Sequence, residues 1–413
     1  MNDLKNKLGE QFEAPSFEDW KIDAQKYLKN SNIDDLISKK LTSKVDIKSI
    51  YVDRPIKSIE LNFEKSSSSS IHSISSDYHL ESDLELAHLL YLVDKSEGQK
   101  LTVRARIDSN FFLSIAKFRA LRYLLNNTSL GKFNIEAYST NINKSIIDEN
   151  NNIIRLTTEA MSAKIGGCNS VDLMPYNSLD ATLDSESSKF GGRVTENILN
   201  LLNDESYFDK VIDPLAGSYL LEELTLKIAN SAAEYKALLN DLATKNELEE
   251  FLEQKNNEHF NHQKENLDRG IKKLIGVNIY QNSDEINGDS TDNDRLASDF
   301  EHLKQKVDNN KPRVYIANFQ EKNSLQLPVT MALNTFNIEF ESNSLFELVE
   351  DGFNTIKLYD PDLVILNGDQ GVMRNLKNML SEYSIISIND FNEDSILSNI
   401  ELILSKMSKV NNG

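Results

Sequence analysis

The sequence predicts an α/β chain: a partial (β/α) barrel followed by a doubly wound domain. Three observations predict it. Strand-like runs alternate with helix-like runs from about residue 50 to 275, an acidic, Asn- and Ser-rich stretch interrupts them near 281, and four short apolar runs alternate with helices over the last hundred residues. At 413 residues with 39% hydrophobic side chains, the chain can bury two or three cores. The expected divisions are an N-terminal helical segment over 1–45, the partial barrel over 46–280, a linker over 281–310 and the doubly wound domain over 311–413.

The first element is a helix from Ser16 to about Asn30. Ser16 is a candidate N-cap with Asp19 three residues on, and Phe17, Trp20, Ala24 and Tyr27 recur at helical spacing. That aromatic stripe packs on the chain's own core or docks onto a partner, and both readings stand. Next, "KLTVRARID" places Leu101, Val103, Ala105 and Ile107 on one side of a strand, and Phe111, Ile115, Phe118 and Leu125 share one face of the helix that follows. The order repeats with "FNIEAYS" and the helix of "NNIIRLTTEAMSAKI", then an apolar stretch at Val171–Met174 and a helix from about Arg193. "KVIDP" then feeds the long helix after Ser218. Alternation of this kind specifies parallel strands with crossover helices, a TIM-type barrel whose chemistry would sit at the strands' carboxyl ends. Only about half of the eight expected units are present, so the barrel is incomplete. Residues 281–310 read as a linker leading into a polar helix. Beyond them "RVYIAN", "NIEFES", "DLVILNG" and "SIISIND" specify a flavodoxin-like domain, whose ligands sit beyond the carboxyl ends of its strands.

A net charge of -20 argues against nucleic acid and anionic membrane surfaces as partners. The single Cys168 excludes an internal disulfide, and with no leader-like or long apolar run the expected location is cytoplasmic. No metal site is expected: His259 and His262 lie three apart beside Glu258 but lack a third ligand. Gly166 and Gly167 read as a helix C-cap rather than a phosphate loop, and Cys168 as a small buried residue rather than a nucleophile. Tyr78 and His79 stand side by side among serines and acids, either an acid pair facing a substrate or a polar turn.

Four blocks, at 110–125, 151–167, 205–225 and 274–281, resemble consecutive blocks of methylmalonyl-CoA mutase in order and spacing. Within the family, "EAYSTNINKS" and "YFDKVIDPLAGSYLLEELT" are more similar to the small, noncatalytic subunit of heterodimeric bacterial enzymes than to the catalytic chain. The resemblance implies a radical rearrangement interconverting methylmalonyl-CoA and succinyl-CoA with adenosylcobalamin, and a cobalamin-binding-type C-terminal domain. Catalytic members follow the first strand of that domain with Asp-x-His-x-x-Gly, the His ligating cobalt. Here Lys322, Ser324 and Leu327 stand at those places, so the domain is expected to be degenerate, with no cofactor bound by this chain and adenosylcobalamin held in the partner subunit. Tyr78 and His79 match the residue types that the catalytic family places near the reacting carbons. The catalytic Arg-containing strand is replaced by Asn134–Ala137, where Glu136 brings a negative charge, and the pair is expected to be a relic. The resemblance therefore implies a noncatalytic subunit that assembles with the catalytic large subunit and stabilises it, covering the edges of an incomplete barrel. Two alternatives remain: a chain with its own acyl-CoA active site borrowing corrinoid from its partner, and an escort protein for cobalamin enzymes.

Overall fold

The computed structural model describes residues 17–28, 33, 38–48, 59, 61–63, 72–96, 101–128, 132–281, 290, 292–321 and 324–407. In chain order, the described elements begin with α1 (Phe17–Tyr27), β1 (Ser38–Lys40), β2 (Asp46–Lys48), β3 (His72–Ile74), α2 (Ser82–Lys95), β4 (Leu101–Arg106), α3 (Phe111–Asn126) and β5 (Phe133–Tyr138). They continue with α4 (Asn150–Ile165), β6 (Ser170–Asp172), α5 (Ser185–Asn200), α6 (Tyr219–Lys245), α7 (Leu248–Asp268) and α8 (Ser298–Asn310). The chain ends with β7 (Arg313–Asn318), α9 (Gln326–Thr335), β8 (Glu339–Ser342), α10 (Val349–Tyr359), β9 (Leu363–Asn367), α11 (Gln370–Met379), β10 (Ser384–Ser387) and α12 (Ile396–Met407). The described residues of 1–138, 161–172 and 202–253 form one compact unit, and those of 139–160, 173–201 and 254–413 a second.

The first unit is built on a four-stranded, all-parallel sheet in sequence order, β3-β4-β5-β6. Both faces of a parallel sheet are covered, so β4 buries Thr102 and Arg106 as well as Leu101, Val103 and Ala105. Asn110 caps α3 by accepting from the Leu113 N–H at 3.1 Å, and the helix buries Ile115, Phe118, Leu121 and Leu125. α6 lies along α2 and α3 and buries Leu221, Leu224, Ile228 and Ala232. Gly167 is left-handed (φ 83°) two residues beyond α4, and the Cys168 N–H reaches back to the Ala163 carbonyl at 3.1 Å, which makes the Gly166-Gly167 pair a C-cap.

Three sequence expectations change here. "KVIDP" is no strand: Val211 and Ile212 are 57% and 72% exposed, and Asp213 takes a left-handed φ of 42° while its carboxylate is clamped by Arg119. The helix expected from about Arg193 starts at Ser185, because Asp184 accepts from the Ser187 N–H at 2.7 Å. Its glycine pair does not break it; a Cβ on Gly191 would land 1.8 Å from Asn177 Oδ1, so the glycine admits a neighbour. The aromatic stripe of α1 divides, with Trp20 half-buried and Tyr27 86% exposed, so Tyr27 does not pack on this chain's core. Ser16, the expected cap, lies outside the described residues.

The second unit carries another all-parallel sheet, ordered β10-β9-β7-β8. Period-two alternation sends Val314, Ile316, Leu363 and Ile365 to one face, where Phe300, Leu303, Val329, Leu333 and Ile400 pack, and Tyr315, Ala317, Val364 and Leu366 to the other, with Ile356 and Leu376. α8, the helical end of the stretch read as a linker, thus contributes Phe300, Leu303 and Val307 to a core. No described helix is long and apolar enough to cross a membrane.

Candidate functional site

The carboxyl ends of the first unit's strands hold a dense set of charged groups. Arg106 closes β4 and Asp108 follows it; Lys117 points back from α3, and Glu85 inward from α2. Lys117 Nζ donates to Glu85 at 2.7 Å, to Asp108 at 2.8 Å and to the Arg106 carbonyl at 2.7 Å. Arg106 lies 3.2 Å from Glu85, and its guanidinium also donates to the Leu80 carbonyl at 2.5 Å and the Tyr78 carbonyl at 3.3 Å. Ser82 donates to Asp108 at 2.8 Å. Two cations therefore face two carboxylates, and buried charge persists only when paired in this way. Burial alone would push Asp108 up, but Lys117 and then Arg106 outweigh it and hold the carboxyl well below the ordinary carboxylate range.

Tyr78 and His79 sit in the turn above this network, both half-buried. The histidine against which the Tyr78 ring lies is His88, nearly two turns into α2, with centroids 5.7 Å apart. His88 Nδ1 is 3.0 Å from Ser76 Oγ, and burial lowers its pKa despite Asp77 and Glu85 nearby. Desolvation raises the Tyr78 pKa, followed by the negative charges of Glu253, Glu249 and Asp77. A phenol held neutral among carboxylates can donate a hydrogen bond, but its acidic surroundings oppose a polyanionic ligand such as an acyl-CoA.

The negative charge that Glu136 brings to β5 is met from the neighbouring strand. Arg104 of β4 bonds Glu136 at 2.5 Å and Asp172 at 2.6 Å, with its guanidinium 5.1 Å from the Tyr138 ring centroid. Sequence reasoning passed over Glu85, His88, Arg104, Arg106, Asp108 and Lys117. Their signal was available in part: a strand that alternates Leu-Thr-Val-Arg-Ala-Arg and is buried on both faces must find carboxylates for its arginines.

At the carboxyl end of β7 in the second unit, Lys322 lies outside the described residues. Ser324 Oγ donates to Glu393 at 2.6 Å at the surface, and Leu327 is 67% exposed at the start of α9. Beside them Asn318 and Asn343 exchange hydrogen bonds at 2.9 and 3.0 Å, and Asn367 donates to Asn318 at 3.1 Å. Phe319 packs against Phe346 and fills the space at Gly352, where a Cβ would come within 2.3 Å of its ring. His262 interacts with Asn266 at 3.2 Å, and no group of three or more metal-ligating side chains occurs among the described residues. Desolvation raises the Cys168 thiol pKa, which opposes its use as a nucleophile.

Two parallel sheets with crossover helices, one bearing a buried ion network at its strand ends, define an α/β protein of the kind that places chemistry at those ends. The family model described as methylmalonyl-CoA mutase matches residues 93–340, more than half of the chain. The chain belongs to the methylmalonyl-CoA mutase family. It is 40% identical over 138 residues to the methylmalonyl-CoA mutase small subunit of Porphyromonas gingivalis, a stretch covering 30% of this chain and 21% of that one. It is 30% identical over 203 residues to the methylmalonyl-CoA mutase of Cereibacter sphaeroides (46% of this chain, 28% of that one). Over 234 residues it is 26% identical to a probable methylmalonyl-CoA mutase small subunit of Mycobacterium bovis (54% of this chain, 38% of that one). The matches thus span between about a fifth and two fifths of these relatives' lengths.

Proposed function

We propose that this chain is the small, noncatalytic subunit of an adenosylcobalamin-dependent methylmalonyl-CoA mutase, assembling in the cytoplasm with a catalytic large subunit and stabilising it. The observation that carries the proposal is the buried Glu85–Arg106–Asp108–Lys117 network. It commits Lys117 wholly to the chain's own groups and pairs the Arg106 charge with Glu85, leaving only the Arg106 Nε donor without a partner, so neither cation has a free charge for a substrate carboxylate. In this reading the sheet β3-β4-β5-β6 is half of a TIM-type barrel over 46–280, with 1–45 as a subunit contact and 281–310 joining it to a flavodoxin-like domain over 311–413. The strand order β10-β9-β7-β8 supports the last assignment. Tyr78 and His79 are relics of a catalytic ancestor.

The C-terminal domain does not fit a corrinoid. The Ser324 hydroxyl is a poor cobalt ligand and is tied to Glu393, while Phe319 fills the space beside Gly352 at the strand ends. Adenosylcobalamin accordingly belongs to the partner.

Size-exclusion chromatography of the full chain with a mutase large subunit, followed by turnover and visible spectra of each peak, tests the proposal. The expected result is co-elution, activity dependent on the large subunit, and no corrinoid retained by this chain alone. Turnover of methylmalonyl-CoA by the isolated chain would overturn it.

A further inference from the structure

We infer that residues 207–212 form a preorganised apolar knob that grips a different protein chain, one offering an apolar pocket rimmed by lysine or arginine. The inference rests on the heterodimer reading above and names the surface that reading leaves open. Tyr207, Val211 and Ile212 are 61%, 57% and 72% exposed, so three large apolar side chains within six residues face solvent. The backbone beneath them is held in place. Phe208 N–H bonds the Leu202 carbonyl at 3.0 Å, Lys210 N–H the Tyr207 carbonyl at 3.1 Å, and Ala216 N–H the Asp213 carbonyl at 3.0 Å.

Tyr207 and Asp213 adopt left-handed φ values of 57° and 42°, which residues with a Cβ seldom take. Asp213 is kept there by two bonds, 2.9 and 3.0 Å, from Arg119, itself fully buried and further anchored to Glu222 at 2.9 Å. A loop free to move would lose conformational entropy on docking; one clamped beforehand loses little.

Charge decides the occupant. Exposed Asp204, Glu205 and Asp209 lie in the same stretch as the knob; its single cation, Lys210, is paired with Asp209 at 2.6 Å, and Lys164 also acts on Asp209, which leaves the acids of the stretch in excess. A second copy of this chain would set the same acids against each other, at a net charge of -20 each. A different chain with a cationic rim is the complement.

The test uses the full chain against a purified mutase large subunit, with affinities by calorimetry and masses by sedimentation. The V211S/I212S double variant is expected to bind about tenfold more weakly or worse, with an unchanged melting temperature because both side chains face solvent. Ile212→Lys should weaken binding more than Ile212→Glu, since the lysine meets a cationic rim. Equal affinities of wild type and double variant overturn the inference and leave the heterodimer standing. Failure of the wild type to bind overturns both. A wild-type homodimer that the double variant dissolves, or a reversed order of the Lys and Glu variants, also overturns it.

Discussion

Replacing Lys117 with methionine removes one of the two cations from the buried network while keeping the side chain's length and apolar stem. Lys117 is fully buried and supplies three hydrogen bonds of 2.7 to 2.8 Å, to Glu85, Asp108 and the Arg106 carbonyl. After the substitution Arg106 alone faces two carboxylates, 3.2 Å from Glu85 and 3.8 Å from Asp108, so one negative charge is left without a counterion in a desolvated site. Breaking a buried pair from one side costs about 3–5 kcal/mol. A second substitution, Glu85→Gln, removes that surplus charge, and K117M/E85Q should be less destabilised than the sum of the single variants by about 1 kcal/mol or more.

Acid titration supplies an independent readout. Asp108 has a depressed pKa when folded, so the stability it contributes is present above its unfolded pKa and is lost as pH falls through the folded value. Without Lys117 that folded value rises toward the unfolded one, so Asp108 contributes less stability to lose and the acid limb of the stability curve becomes shallower. Urea denaturation followed by circular dichroism between pH 7 and pH 3 measures both effects. A K117M variant within 1 kcal/mol of wild type, with an acid limb as steep as wild type, would show that the network is not the buried, paired arrangement described.

Further expectations concern neighbouring groups. Burial lowers the pKa of His88, so its contribution to stability is present above the unfolded pKa of about 6.5 and is lost as pH falls below it; His88→Gln should flatten the decline of the urea midpoint between pH 7 and pH 5, and an unchanged slope would exclude the assignment. Arg119→Lys loses the fork that holds Asp213 and Glu222 together and should cost on the order of 2–4 kcal/mol, measured by thermal melting, with a wild-type melt counting against the clamp. His79→Ala, assembled with a wild-type large subunit, should keep turnover within about twofold of the unmodified complex, whereas a positioned general acid would be worth roughly a hundredfold or more; a loss of that size in an intact complex would place catalysis in this chain.

The alternation of strands and helices was legible in the sequence because its cause is local. Period-two apolar runs such as Val314–Ile316 or Leu101–Ala105 can bury their side chains only as strands, and the runs that separate them repeat at the helical period. The helix cap at Gly167 and the parallel pairing of both sheets followed from the same short-range signals. What only the tertiary structure decided depends on distances across the fold. "KVIDP" has the composition of a strand, yet Arg119, 94 residues away, clamps its aspartate and turns its valine and isoleucine outward. Tyr78 stands beside His79 in the chain, but the histidine ring it lies against is His88. Glu136 reads in the sequence as a negative charge, and only the fold sets Arg104 of the adjacent strand against it. A charge's effect is set by the dielectric and the counterions around it in space, and neither is a property of the residues that flank it in sequence.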